Sequence, residues 1–171
     1  RPEWMISDLS IMLSGGVTVP SYTTYTERDY EYIIDDCTPT IIIISNRAQY
    51  EKIQNVIEKK NFIKKIIFFE NIENTNKELN LKIDDILKKK ECKNQNFSNL
   101  NIQRKDIACI IYTSGTQGNP KGVMLSHGGI LNNCEGAYGL LKTFVSKKPK
   151  FLTWLPLSHS YEHTVQFVQI V

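Results

Sequence analysis

The chain has 171 residues, 41% hydrophobic and 23% charged, with a formal net charge of +3. That is enough chain for a domain with its own core, and its composition is that of an ordinary globular protein. The charge is too small to argue by itself for nucleic acid or a membrane surface, and no apolar run approaches the ~20 residues a membrane span needs.

In chain order, Pro2 to Leu13 carries Trp4, Met5, Leu9, Met12 and Leu13 at helical spacing, and Gly15-Gly16 stops the helix. Val17-Thr18-Val19 reads as a short strand closed by Pro20, which cannot donate into a ladder. Thr26-Glu27-Arg28-Asp29 has the form of a capping box, with Asp in place of the usual Glu or Gln, and predicts a helix to about Asp36. Ile41 to Ile44 is a β-branched run with no polar face, as expected of a strand covered on both sides. Residues 47–60 place Tyr50, Ile53, Val56 and Ile57 on one helical face, and Lys65 to Phe69 is the next buried strand. The Asn- and Lys-rich stretch 71–106 contains one helical patch, Leu81 to Lys90, and its charges of both signs read as a solvated face.

Ile107 to Tyr112 is another greasy strand. It ends abruptly in Thr113-Ser114-Gly115-Thr116-Gln117-Gly118-Asn119-Pro120-Lys121-Gly122. Gly115, Gly118 and Gly122 let successive N–H groups converge on an anion. Thr113, Ser114 and Thr116 add hydroxyls, and Lys121 adds a cation on a flexible stem suited to phosphate. The pattern is not a Walker A loop, which requires Ser or Thr directly after the lysine, whereas Lys121 is followed by Gly122. Gly122 to Leu125 reads as a strand returning from the loop, and Ser126 as the N-cap of a helix covering about 127–145. Phe151 to Leu155 reads as a buried strand, with Trp154 either core or lining a ligand tunnel; a helix starts near Tyr161.

His159, just past that strand, is either a hydrogen-bonded loop histidine or a contact to phosphate or carboxylate. His159 and His163 are four apart, but Glu does not follow the first and no third ligand is evident, so zinc is not expected. No Gly-x-Ser-x-Gly elbow supports a serine hydrolase. The cysteines, Cys37, Cys92, Cys109 and Cys134, form no Cys-x-x-Cys pair, and a reducing cytosol is the default compartment.

Strands alternating with helices predict an α/β fold, a mainly parallel sheet flanked by helices. Ligands in such sheets sit beyond the carboxyl ends of strands, where both 112–122 and 156–162 fall.

The loop at 113–122 resembles the phosphate-binding motif of the AMP-forming adenylate synthetases. Arg1-Pro2-Glu3-Trp4 through Gly15-Gly16-Val17-Thr18-Val19-Pro20-Ser21-Tyr22 resembles the early region of long-chain fatty acid–CoA ligases, and Leu155-Pro156-Leu157-Ser158-His159-Ser160-Tyr161-Glu162 resembles their next motif. Gln117 departs from the threonine the family most often has there. The resemblance implies that residues 1–171 are part of a large N-terminal AMP-binding domain, with the C-terminal domain absent. It implies an ATP-dependent ligase that adenylates a long-chain fatty acid and passes it to CoA, with ATP, Mg2+ and CoA as cofactor and substrates. It assigns Thr113, Ser114, Gly115, Thr116, Gln117, Gly118 and Lys121 to the phosphates, Thr116 also to the metal, and catalysis to Lys121, Thr116 and His159. Partners would be small molecules and not nucleic acid, in the cytoplasm, with peripheral membrane association of the parent left open. Both ends look cut, with no initiator Met and no secretory pattern, so the isolated chain is expected to show no turnover. A different carboxylate, or a non-catalytic nucleotide-binding remnant, stays open.

Overall fold

The computed structural model describes residues 1–72, 80–89, 100–113, 119–144 and 150–170. It contains two compact units: residues 1–7 with 23–97, and residues 8–22 with 98–171.

The first unit holds a three-stranded parallel sheet in the order β1-β2-β3. β1 (Ile41–Ile44) pairs in register with β2 (Lys65–Phe68), Ile41 opposite Lys65 and Ile44 opposite Phe68. β2 pairs in turn with β3 (Asn80–Lys82). Parallel neighbours need a crossover, and α3 (Arg47–Ile57) provides the one between β1 and β2. Asn46 caps α3 by accepting from the Gln49 N–H at 3.0 Å. α2 (Glu27–Cys37) starts on the expected capping box: the Asp29 N–H donates to Thr26 Oγ1 and the Thr26 N–H to Asp29 Oδ2. Ile34 of α2, Ile53 and Val56 of α3 and Phe68 of β2 form the buried centre, and Tyr50 meets Phe68 edge-on at 5.5 Å.

Two boundaries move here. The helix predicted over 47–60 ends at Ile57. The patch 81–90 divides into β3 and a short helix, α4 (Ile83–Lys88). A three-residue strand is too short for a periodicity to show, and the open edge of β2 supplies its hydrogen bonds.

The second unit is built on an antiparallel hairpin. β4 (Ile107–Thr113) runs against β5 (Lys121–Ser126). Ala108, Cys109, Ile111 and Tyr112 of β4 are all at most 3% exposed, which accounts for a run without a polar face. A register shift between Ile107 and Cys109 leaves Ala108 unopposed on β5, and its carbonyl accepts instead from the Thr18 N–H at 3.0 Å. The strand expected over 17–19 is thus a single parallel bridge, Thr18 to Cys109. It follows α1 (Pro2–Leu13), which ends at Gly15 with φ +79°, a conformation that glycine adopts without strain.

Ser126 caps α5 (His127–Leu141), accepting from the Gly129 N–H at 3.1 Å. α6 (Ser160–Val168) packs against α5. The strand predicted over Phe151–Leu155 is not formed. No strand among the described residues pairs with it, and an apolar, aromatic composition without a partner does not make a strand. Leu152 is 84% and Trp154 73% exposed, so Trp154 is not core in this structure.

Candidate functional site

The hairpin register decides where the two ends that flank the Gly-rich segment lie. Thr113, the last residue of β4, lies directly opposite Lys121, the first of β5. Residues that face each other across an antiparallel pair have Cβ atoms about 5 Å apart. The two stems that flank residues 114–120 in sequence are therefore held together by β-pairing. Both Thr113 and Lys121 are exposed. Among the described residues no carboxylate lies within ion-pair range of the Lys121 ammonium. A hydroxyl and a cation on adjacent stems form the kind of cradle that takes phosphate oxygens. Ser114, Gly115, Thr116, Gln117 and Gly118, assigned above to phosphate and, for Thr116, to metal, lie outside the described residues.

Gly122 has a different reason from the one expected of it. It sits in β5 opposite Tyr112, not in a left-handed conformation. A Cβ there would lie 2.9 Å from Ile110 Cγ2 and 3.2 Å from Tyr112 Cζ. The missing side chain makes room for the neighbouring strand, and the hydrogen-bonded stem below the loop depends on it.

His159 does not follow a strand. The chain turns at Pro156, whose carbonyl accepts from the His159 N–H at 2.8 Å, and His159 then caps α6. Its Nδ1 accepts from the Tyr161 N–H at 3.2 Å. In the neutral ring the proton consequently sits on Nε2, which leaves that nitrogen as a donor toward an oxygen. The structure keeps His159 and His163 on separate duties. His163 Nε2 lies 2.7 Å from Asp8 Oδ2, and its Nδ1 lies 3.9 Å from Cys109 Sγ. Among the described residues no group of three or more His, Cys, Asp or Glu could hold a metal ion.

Burial of Cys109 pushes its thiol up to about 12, with the nearby Asp8 adding to the rise and the Thr18 hydroxyl opposing it. Cys109 beside His163 and Asp8 therefore has the residue types of a cysteine nucleophile array without its chemistry, since the thiolate is the nucleophile. Glu162 is 1% exposed and accepts from Gln166 Nε2 at 3.1 Å within its own helix. Sequence reasoning missed Asp8. The available signal was an acid four residues before Met12, on the same stripe of α1; its partner is 155 residues away.

The profile of a family described as AMP-binding enzyme matches residues 1–171. The chain belongs to the AMP-binding enzyme family. Among its curated relatives, long chain acyl-CoA synthetase 4 of Arabidopsis thaliana is 32% identical over 181 residues, covering 98% of this chain and 27% of the relative. Long-chain-fatty-acid–CoA ligase 6 of Homo sapiens is 29% identical over 177 residues, covering 98% and 25%. The chain thus spans about a quarter of the length of these relatives. In fold it is similar to a long-chain-fatty-acid-CoA ligase from Archaeoglobus fulgidus, with a TM-score of 0.72 at 21% identity over 99% of this chain and 32% of that one. It is also similar to ATP-bound MatB from Rhodopseudomonas palustris, with a TM-score of 0.62 at 25% identity over 91% and 28%. Membership of the AMP-binding family accounts for an α/β chain with a parallel sheet and helices. No helix among its described residues is long and apolar enough to cross a membrane.

Proposed function

We propose that this chain supplies the phosphate-binding hairpin of an ATP-dependent ligase that joins a long-chain fatty acid to CoA through an acyl-adenylate. The observation that carries this reading is the opposition of Thr113 and Lys121 across the hairpin stem, in a chain matched along its whole length by the AMP-binding family. The names of the relatives favour the long-chain acid and CoA.

A carboxylate oxygen attacks the α-phosphorus of ATP, and the bond from that phosphorus to the bridging oxygen breaks, releasing pyrophosphate. Charge builds on the departing diphosphate. Lys121 and Thr113, with the amides and hydroxyls proposed at 114–118, would stabilise that charge electrostatically. His159, with its proton on Nε2, would donate to an oxygen on the carboxylate side. The CoA sulfur then attacks the acyl carbon, and AMP leaves. Magnesium would arrive with ATP and supply positive charge against the phosphates, with Thr116 as the proposed contact of this chain. ATP fits what the described residues offer, an exposed lysine beside a hydroxyl.

The test is fatty-acid-dependent exchange of labelled pyrophosphate into ATP by the complete polypeptide that carries these residues. Exchange is expected with long-chain acids, slowed by Lys121→Ala. Exchange only with another class of carboxylate would replace the substrate assignment. ATP hydrolysis with no carboxylate requirement would overturn the ligase reading.

A further inference from the structure

We propose that Asp8 and His163 are positioning residues for His159. Their buried hydrogen bond seats the first turn of α6, and with it the imidazole at that helix's N-cap. The proposal rests on the functional reading above, which gives His159 its role.

The two side chains are 5% and 3% exposed and meet at 2.7 Å, Asp8 Oδ2 to His163 Nε2. A carboxylate can only accept, so Nε2 is the donor, and Nδ1 is left to face the Cys109 thiol at 3.9 Å. The His163 ring is thereby held in one orientation between α1 and β4, and Phe167 packs against it at a centroid distance of 4.9 Å.

That anchor is coupled directly to the N-cap. The His163 N–H donates to the His159 carbonyl at 2.9 Å, and the Tyr161 N–H of the same turn donates to His159 Nδ1 at 3.2 Å. Both the position of His159 and its tautomer are properties of this turn. Apolar burial of Phe167 and Val168 near the helix C-terminus is non-directional and does not fix the rotation of α6 about its axis. A short hydrogen bond to an acid on another helix does. A buried Asp–His pair is a weak device for stability, because desolvation offsets much of the attraction, whereas fixing register is the best attested use of buried polar groups.

The experiment uses the complete polypeptide labelled with 15N-histidine, with the His159 resonances assigned by their loss in His159→Gln. In the wild type, His159 and His163 are both expected as Nε2–H tautomers. His163→Phe keeps a ring and removes both nitrogens. It is expected to mix the His159 tautomers and lower kcat for adenylate formation about tenfold or more, the scale of a displaced catalytic group, with KM for ATP unchanged within about twofold. His163→Gln can return an N–H toward Asp8 and should recover most of the loss. Asp8→Leu, which keeps the same branched shape and removes both acceptor oxygens, is the second variant should His163→Phe fail to fold. An Nδ1–H tautomer at either histidine in the wild type overturns the proposal, and this result is available whether or not a variant folds. So does a folded His163→Phe or Asp8→Leu with unaltered His159 signals and kcat. Wild-type protein without carboxylate-dependent exchange would instead remove the functional reading, and the tautomers would still report on the coupling.

Discussion

Thr113 and Lys121 face each other as the last residue of one strand and the first of the next. If both act on the same polyphosphate, their effects are coupled. Thr113→Val retains the β-branch and removes the hydroxyl, and should slow pyrophosphate exchange about tenfold. Lys121→Ala should cost about a hundredfold or more, the scale of removing one electrostatic contact to a developing charge. The double variant should lose less than the product of the two, because groups sharing one partner are not additive. Melting temperatures should hardly change, since both side chains are exposed. Strictly multiplicative losses in a double-mutant cycle would place the two residues on different targets.

Two glycines of the same unit should respond to alanine with opposite signs. At Gly122 a methyl meets Ile110 and Tyr112 inside van der Waals contact, and overpacking of this kind costs about 1–3 kcal/mol. At Gly136, within α5, an added Cβ meets nothing within 4 Å, and replacing a mid-helix glycine should stabilise by up to about 1 kcal/mol. Urea denaturation of the two variants measures both. A Gly122→Ala protein as stable as wild type would show that the stem tolerates a side chain opposite Tyr112.

Alkaline pH should destabilise the protein through groups held neutral by burial. The Cys109 thiol is raised from 9.0 to about 12, and burial raises the Tyr30 hydroxyl from 10.0 to about 12. A raised folded-state value means that the unfolded chain loses its proton first. The associated stability is complete below about pH 9 and declines as pH rises toward 12. Stability curves collected from pH 8 to 11 should fall, and Cys109→Ala should flatten the part beginning near pH 9. At pH 8, Cys109 should also resist a maleimide until the protein unfolds. Labelling at the rate of a free thiol would contradict its burial.

Acid should act at the start of α2. Hydrogen bonds from the Thr26 hydroxyl and the Thr26 N–H hold the Asp29 carboxyl below its ordinary 3.8. A lowered folded-state value contributes stability above the unfolded value and loses it as pH falls through the folded one. Thr26→Ala should therefore lower the unfolding midpoint at pH 7, and the difference from wild type should shrink as pH drops below about 3.8. A gap that stays constant down to pH 2 would assign the effect to the hydroxyl cap alone.

Local chemistry made much of this molecule readable in one dimension. The Thr26–Asp29 box, the Gly15 stop, the Ser126 cap, the uniform β-branched run at 41–44 and the apolar run at 107–112 each carry their structure within a few residues. The hydroxyl, glycine and lysine types at 113–122 carry the phosphate-binding proposal on the same local footing. What required the third dimension was pairing between distant segments. Phe151–Leu155 has the composition of a strand and no partner, β3 has little composition to show and an open edge beside it, and Gly122 is explained by the side chains of β4. Asp8 and His163 form one buried unit across 155 positions. Hydrogen bonds and close contacts form between whichever groups the folded chain brings together, and nothing in the neighbourhood of either residue names the other.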